Sequence, residues 1–114
     1  MSRVFVVHQP TGRDATTGGI KPTMDLSPAR EYGDMRFILR EWENPFVDTT
    51  ATVAEVRRVL VDEKFTGDDW LLLVGNPCLI AIVAAVASDY CADLRMLQWN
   101  RSEHRYVPVI AQLD

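Results

Sequence analysis

Between Trp70 and Ala87 lie eighteen residues of which only Asn76 is strongly polar, and Gly75-Asn76-Pro77 divides the run into five and ten. A membrane span needs about 20 predominantly apolar residues. Neither half reaches that length, and Asp68, Asp69 and Asp89 flank the run. The pattern instead predicts a buried strand over 70–74, a tight turn, and a buried helix from Cys78 to Cys91. Asn76 is a favourable cap for that helix, and Pro77 suits its first position. A strand and a helix that are both apolar nearly all round must each be covered on several sides. That requirement points to a layered α/β domain.

The rest of the chain fits the same plan. Arg3 to His8 is β-branched and aromatic, and its continuous apolar character suits a strand buried on both faces. Met35 to Leu39 reads as a second strand. Residues 49–63 read as an amphipathic helix with Val53, Val56 and Leu60 on one face. Thr52 and Glu55 have capping-box spacing there, and Thr50 is an alternative cap. Leu94–Trp99 and Arg105–Leu113 read as strands joined by a polar connection at Asn100–Glu103. Pro108 assigns the last strand to the sheet edge, because proline cannot donate to a ladder. The predicted fold is one three-layer α/β domain over residues 1–114, with a mainly parallel sheet and a C-terminal antiparallel hairpin.

Residues 9–34 break the regularity. They hold four of the six glycines and three of the six prolines. They read as a long Gly/Pro-rich loop, with one short helical turn over Ser27–Gly33. Glu41–Asp48 reads as a further loop.

Charge and cysteines narrow the function. The chain has 114 residues and a net charge of −4, whereas proteins that grip duplex nucleic acid carry a basic footprint. No duplex nucleic acid partner is expected. If residues 78–91 are helical, Cys78 and Cys91 are separated by a rise of ~20 Å and fall on different faces. Two reduced thiols follow, consistent with a cytoplasmic protein. The apolar run Val4–Val7 is shorter than a signal-peptide core.

Candidate sites are few. The turn at Gly75-Asn76 would present a helix N-terminus at the carboxyl end of a strand, where open α/β sheets bind ligands. With the Arg3–His8 strand alongside, His8, Arg13, Gly75 and Asn76 would line a pocket for a phosphate or nucleotide. The plain alternative is a well-capped turn. No glycine-rich dinucleotide or triphosphate loop is present. Two histidines and two cysteines without paired spacing give no metal site, and no cofactor is expected. Cys78, near a helix start, is a conceivable nucleophile but reads more simply as a small core residue. Asp62-Glu63 and Asp68-Asp69 read as exposed charges at element ends, with the second pair guarding an apolar strand. Trp99, Arg101, His104 and Arg105, with Arg95 and Tyr106, form a basic–aromatic patch near the last hairpin. Arg, Trp and Tyr anchor protein interfaces and also suit single-stranded nucleic acid through stacking and charge, and the plain alternative is a solvated hairpin.

Four pieces of the chain fit a further pattern without a shift. They are Asp68-Asp69-Trp70-Leu71-Leu72-Leu73-Val74-Gly75-Asn76-Pro77, the alanine-rich helix, Leu97-Gln98-Trp99-Asn100-Arg101, and Arg105-Tyr106-Val107-Pro108-Val109. In these the chain resembles a group of small uncharacterised proteins encoded by tailed bacteriophages. The likeness covers mainly Asp68–Leu113, with weaker echoes at Val4–Val7 and Asp25–Ala29. It implies a phage origin and action inside an infected bacterium, and it supplies no catalytic residues. The leading expectation is a non-catalytic phage accessory protein that binds a host or phage protein, with Trp99, Arg101, His104 and Arg105 of the last hairpin and the 9–34 loop as the interaction surfaces. The alternatives are an anionic-ligand binder at Asn76 and a minor virion component.

Overall fold

The computed structural model describes residues 2–9, 11–22, 25–39 and 48–113. In chain order the elements are β1 (Arg3–Val6), β2 (Thr11–Arg13), β3 (Ile20–Pro22), a 3-10 helix (Ser27–Tyr32), β4 (Asp34–Phe37), α1 (Thr49–Asp62), β5 (Trp70–Leu72), α2 (Pro77–Ala87), β6 (Asp93–Asn100) and β7 (Arg105–Gln112). The five-stranded main sheet has the order β4-β1-β5-β6-β7. Its first four strands run parallel, and β7 closes the edge antiparallel to β6. The fold is therefore a single α/β domain with a C-terminal hairpin, and Pro108 does lie on an edge strand. The loop expected over Glu41–Asp48 lies outside the described residues, apart from Asp48.

The 9–34 segment is more regular than its composition suggests. β2 and β3 form their own two-stranded antiparallel sheet, and the Asp14 carboxylate accepts from the N–H groups of Thr16 and Thr17 in the turn between them. The helical turn predicted at Ser27 is present, with Pro28 in its first turn. Gly33 ends it at φ 140°, where a Cβ would overlap the Ser2 carbonyl.

Winding direction divides the two faces of the sheet. The chain steps one way from β1 to β4, then reverses through β5 and β6. Crossovers of one hand that run in opposite directions land on opposite faces. Both α-helices accordingly share one face. Val56 and Leu60 of α1 and Leu79, Val83, Val86 and Ala87 of α2 pack there with Phe5, Val7, Leu71 and Leu94. The other face carries Val4, Val6, Trp70, Leu72, Leu97 and Tyr106, and its cover includes Leu26 and Ala29. The outer layer on that side thus rests on a six-residue 3-10 helix rather than an α-helix. An α-helical layer is absent there because no long amphipathic segment separates β1 from β4.

Three local expectations need correction. The cap of α1 is Asp48, whose carboxylate accepts from the Ala51 N–H at 3.0 Å. Thr52 is instead buried, and its hydroxyl donates to the Asp48 carbonyl. Cys78 is exposed rather than in the core, because the first turn of α2 turns Leu79, not Cys78, towards the sheet. Half-buried Cys91 sits at the other end, its thiol held above the ordinary value by burial and then by the charge of Asp93.

The third correction concerns Asp69, which is buried rather than exposed. One of its carboxylate oxygens accepts from the Arg3 N–H at 3.0 Å, and the other from the Thr66 N–H at 2.9 Å and the Arg3 guanidinium at 3.3 Å. Arg3 also reaches Glu63, which pairs with Arg36. This network ties the start of β1 to the turn before β5 and the end of α1. Removing one side of a buried, hydrogen-bonded charge leaves its donors unpaired. Asp69→Ala is therefore expected to cost about 3 kcal/mol in urea unfolding, and the exposed Asp68→Ala less than about 0.5 kcal/mol. Equal losses would contradict the network.

Candidate functional site

Two places in this fold bring together residues singled out in the sequence. The first is the rim between β1 and β5. These parallel neighbours are where the winding reverses, and ligands of open α/β sheets bind beyond such strand ends. His8 follows β1, and Gly75 follows β5 at φ 107°. A Cβ on Gly75 would stand 2.9 Å from the His8 carbonyl oxygen and 3.0 Å from the His8 Cβ. Glycine is needed here both for the left-handed turn and for the close approach. The structure thus joins His8, Gly75 and Asn76. Arg13 lies in β2 opposite Ile20, and its side chain is outside the described part of the molecule.

The chemistry left at this rim is slight. Pro77 has no N–H. The Asn76 side chain takes the Cys78 N–H at 2.8 Å, and the Asn76 carbonyl takes the Ile80 N–H at 3.0 Å. Two of the N–H groups at the helix start are thus unavailable to an anion, either missing or taken by the cap, whereas an N-terminal anion site offers several. Among the described residues, no group of three or more His, Cys, Asp or Glu is placed to hold a metal ion. No helix among them is long and apolar enough to cross a membrane.

The second place is the thinly covered face at the β6–β7 hairpin. Trp99 and Tyr106 sit directly opposite each other on adjacent strands. Their rings meet edge to face at 5.0 Å, and Trp99 also meets His104 at 6.5 Å. Such pairs contribute beyond their buried area. Tyr106 lies beneath, almost wholly buried, whereas Trp99 keeps 36% of its surface. The hairpin turn is shaped locally. The Asn100 side chain accepts from the Glu103 N–H at 3.0 Å, and His104 takes the left-handed conformation at φ 52°. Arg101, Ser102, Glu103, His104 and Arg105 are all exposed.

The 3-10 helix crosses the sheet to meet this hairpin. The Tyr32 hydroxyl donates to the Tyr106 carbonyl at 3.0 Å, and Arg105 pairs with Glu31 at 3.3 Å. Tyr32 also packs edge to face on Trp70. Between hairpin and helix start, Asp25, Pro28, Trp99 and Tyr106 enclose an open cleft of about 320 Å³. Asp25 is held below the usual carboxylate range by the Ser27 N–H, which it accepts at 2.9 Å, and by the Ser27 hydroxyl. Its fixed negative charge sits at the mouth of an otherwise largely apolar recess.

The structure therefore groups Trp99 with His104 and places Arg101 and Arg105 around them. Arg95 does not belong to this group. Its guanidinium lies 3.9 Å over the Trp70 ring and donates to the Asp68 carbonyl. Sequence reasoning missed Asp25, Pro28 and Glu31 as parts of the patch. The available signal was the Asp25-Leu26-Ser27-Pro28 start of the helical turn, which marks local order but does not reveal that the turn lands on the hairpin.

These features define a small α/β domain with helices on one face and an aromatic cleft on the other. It is a phage protein: the chain belongs to the phage Pam3 gp32-like protein family, whose model matches residues 2–113. The match includes residues 9–24, which lie outside the motif resemblance. Comparison with curated proteins and with solved structures finds no match.

Burial, and then the nearby charge of Asp25, hold the Tyr106 phenol above its ordinary value of 10.0. A phenol whose folded pKa is raised favours the folded state below the unfolded pKa and ceases to do so as pH rises through the folded one. The Tyr106 phenol is expected to ionise above its ordinary value in an alkaline absorbance titration, as the component that Tyr106→Phe removes. Stability should fall above pH 10, with a smaller fall in Tyr106→Phe. If the component removed by Tyr106→Phe ionises at or below the ordinary phenol value while the protein remains folded, the buried placement is contradicted.

Proposed function

We propose that the protein is a non-catalytic phage accessory protein that binds a protein partner, of the phage or of its host, through the cleft and the hairpin tip. The observation that carries this reading is the cleft between Pro28, Trp99 and Tyr106, with exposed Arg101 and Arg105 in the hairpin that forms one wall. Interfaces gain most of their energy from aromatic and arginine anchors seated in pockets. Trp99 is held by two ring contacts, so presenting it to a partner costs little conformational freedom. Arg105 is likewise oriented by Glu31.

The phosphate or nucleotide reading at Asn76 has less support. Its first-turn donors are mostly taken within the protein, so the partner reading is preferred.

A photoreactive amino acid at position 101 tests the assignment in infected cells, with the same group at Arg58 on α1 as the control. The expected result is a protein adduct from position 101 and none from position 58. Adducts from position 58 alone would place the partner on the helical face and overturn the reading.

A further inference from the structure

Among the described residues the outer edge of β7 has no strand beside it, and the direction of its hydrogen-bonding groups can be identified residue by residue. The Leu113 N–H donates to the Ala92 carbonyl, and Leu113 stands opposite Ala92 in the β6–β7 register. Backbone direction alternates along a strand. Residues 107, 109, 111 and 113 therefore turn their polar groups towards β6, and 106, 108, 110 and 112 turn theirs outwards. The outward half before residue 109 is guarded. The Tyr106 carbonyl accepts from Tyr32, and Pro108 has no N–H at an outward position.

Beyond Pro108 the guarding stops. From Tyr106 to Leu113 no residue is charged, although charges are a common protection of edge strands. Val109, Ile110 and Leu113 keep 41%, 56% and 50% of their surface. Ile110 and Gln112 each direct an N–H and a C=O into solvent.

We propose that this edge pairs antiparallel with the β7 edge of a second copy of this chain, centred on Ala111. In that register Ile110 of each copy faces Gln112 of the other, and every outward N–H and C=O of the two residues finds a partner. Moving the centre one residue upstream sets Gln112 opposite Pro108 and leaves its carbonyl facing a residue without an N–H. The side chains are self-complementary about the same centre. Val109 of one copy meets Leu113 of the other, and the small Ala111 meets its own equivalent. The cross-sheet row through Ile110 begins at Arg95 in one copy and ends at Asp93 in the other, so like charges are not set opposite one another. These features fit a copy of the same strand, because a two-fold contact needs a patch that complements itself.

The contact is short compared with the roughly 1,600 Å² of a standard interface. Its Kd is accordingly expected on the order of 100 µM. The two copies would form a continuous sheet. Arg105 of each lies six residues from the centre, which separates the two hairpin tips by roughly 40 Å along the strands. A dimer would thus present two clefts on one face, at a spacing that favours bivalent contact with a repeating partner. The pairing itself does not depend on the cleft's function.

Directed crosslinking tests the register. In a Cys78→Ser, Cys91→Ser background, Ala111→Cys places two thiols at directly opposed positions about 4.5 Å apart in Cα separation, within disulfide range. Mild oxidation should give covalent dimers of Ala111→Cys and few of Ser102→Cys at the hairpin tip. Sedimentation equilibrium up to about 1 mM should show a monomer–dimer equilibrium, weakened at least tenfold by Ile110→Lys. Monomers throughout, with no excess crosslinking at position 111 over position 102, would overturn the proposal.

Discussion

The centre of the sheet is apolar on both faces, and among the described residues α-helices cover only one. Val4, Val6, Trp70 and Leu72 lie on the face opposite Phe5, Val7 and Leu71. Each face loses its hydrophobic contribution unless it is covered. The connections running through α1 and α2 both land on the Phe5 side. The connection from β1 to β4 must therefore cover the Val4 side, and the helical segment it supplies for this is a six-residue 3-10 helix. Much of the molecule's surface character follows from that imbalance. The 3-10 helix covers the middle of the sheet and leaves the outer hairpin partly open, so the Trp99–Tyr106 pair becomes the wall of a cleft rather than the inside of a core.

The two ends of the parallel strands do different work. At their amino ends Asp69 gathers the Arg3 backbone, the Arg3 guanidinium and the Thr66 N–H into a buried knot. At their carboxyl ends the chain closes tightly, with Gly75 against His8 and the Asn76 cap on α2. Tight capping strengthens α2 and consumes the donors that a phosphate would use. This rim is the position that open α/β sheets commonly give to a ligand, and here it carries the close approach of Gly75 to His8 and the Asn76 cap. Exposed aromatic and basic groups gather instead at the far edge, around the hairpin turn.

Much of this was legible in the sequence. The 70–87 run encoded a strand, a turn and a helix, because a glycine, a cap and a proline in succession admit few other local structures. Pro108 marked the edge because a missing N–H is tolerated only where nothing is paired. Burial of charge was not legible. Asp68 and Asp69 are chemically identical neighbours, and only the turn geometry decides which one faces Arg3. The cap of α1 was misjudged for a related reason: several candidate residues precede the helix, and spacing alone does not rank Asp48 above Thr50 or Thr52. The cleft was half legible. Trp99 and Tyr106 stood out by residue type, but Asp25 and Pro28 reach them through a contact spanning about seventy residues, which no local pattern encodes.

The proposed functional surface lies on the face opposite the α-helices, at the hairpin, and receives a protein. The most direct measurement compares what immobilised wild-type protein, a Trp99→Ala/Arg101→Ala double variant and a Val61→Ala variant of the helical face recover from infected-cell lysate, quantified by mass spectrometry. The account predicts a protein recovered equally by wild type and Val61→Ala. It should be depleted more than tenfold by the hairpin variant, as expected when an anchor residue is removed. Recovery unaffected by Trp99→Ala/Arg101→Ala but lost with Val61→Ala would contradict it and move the functional surface to the helices.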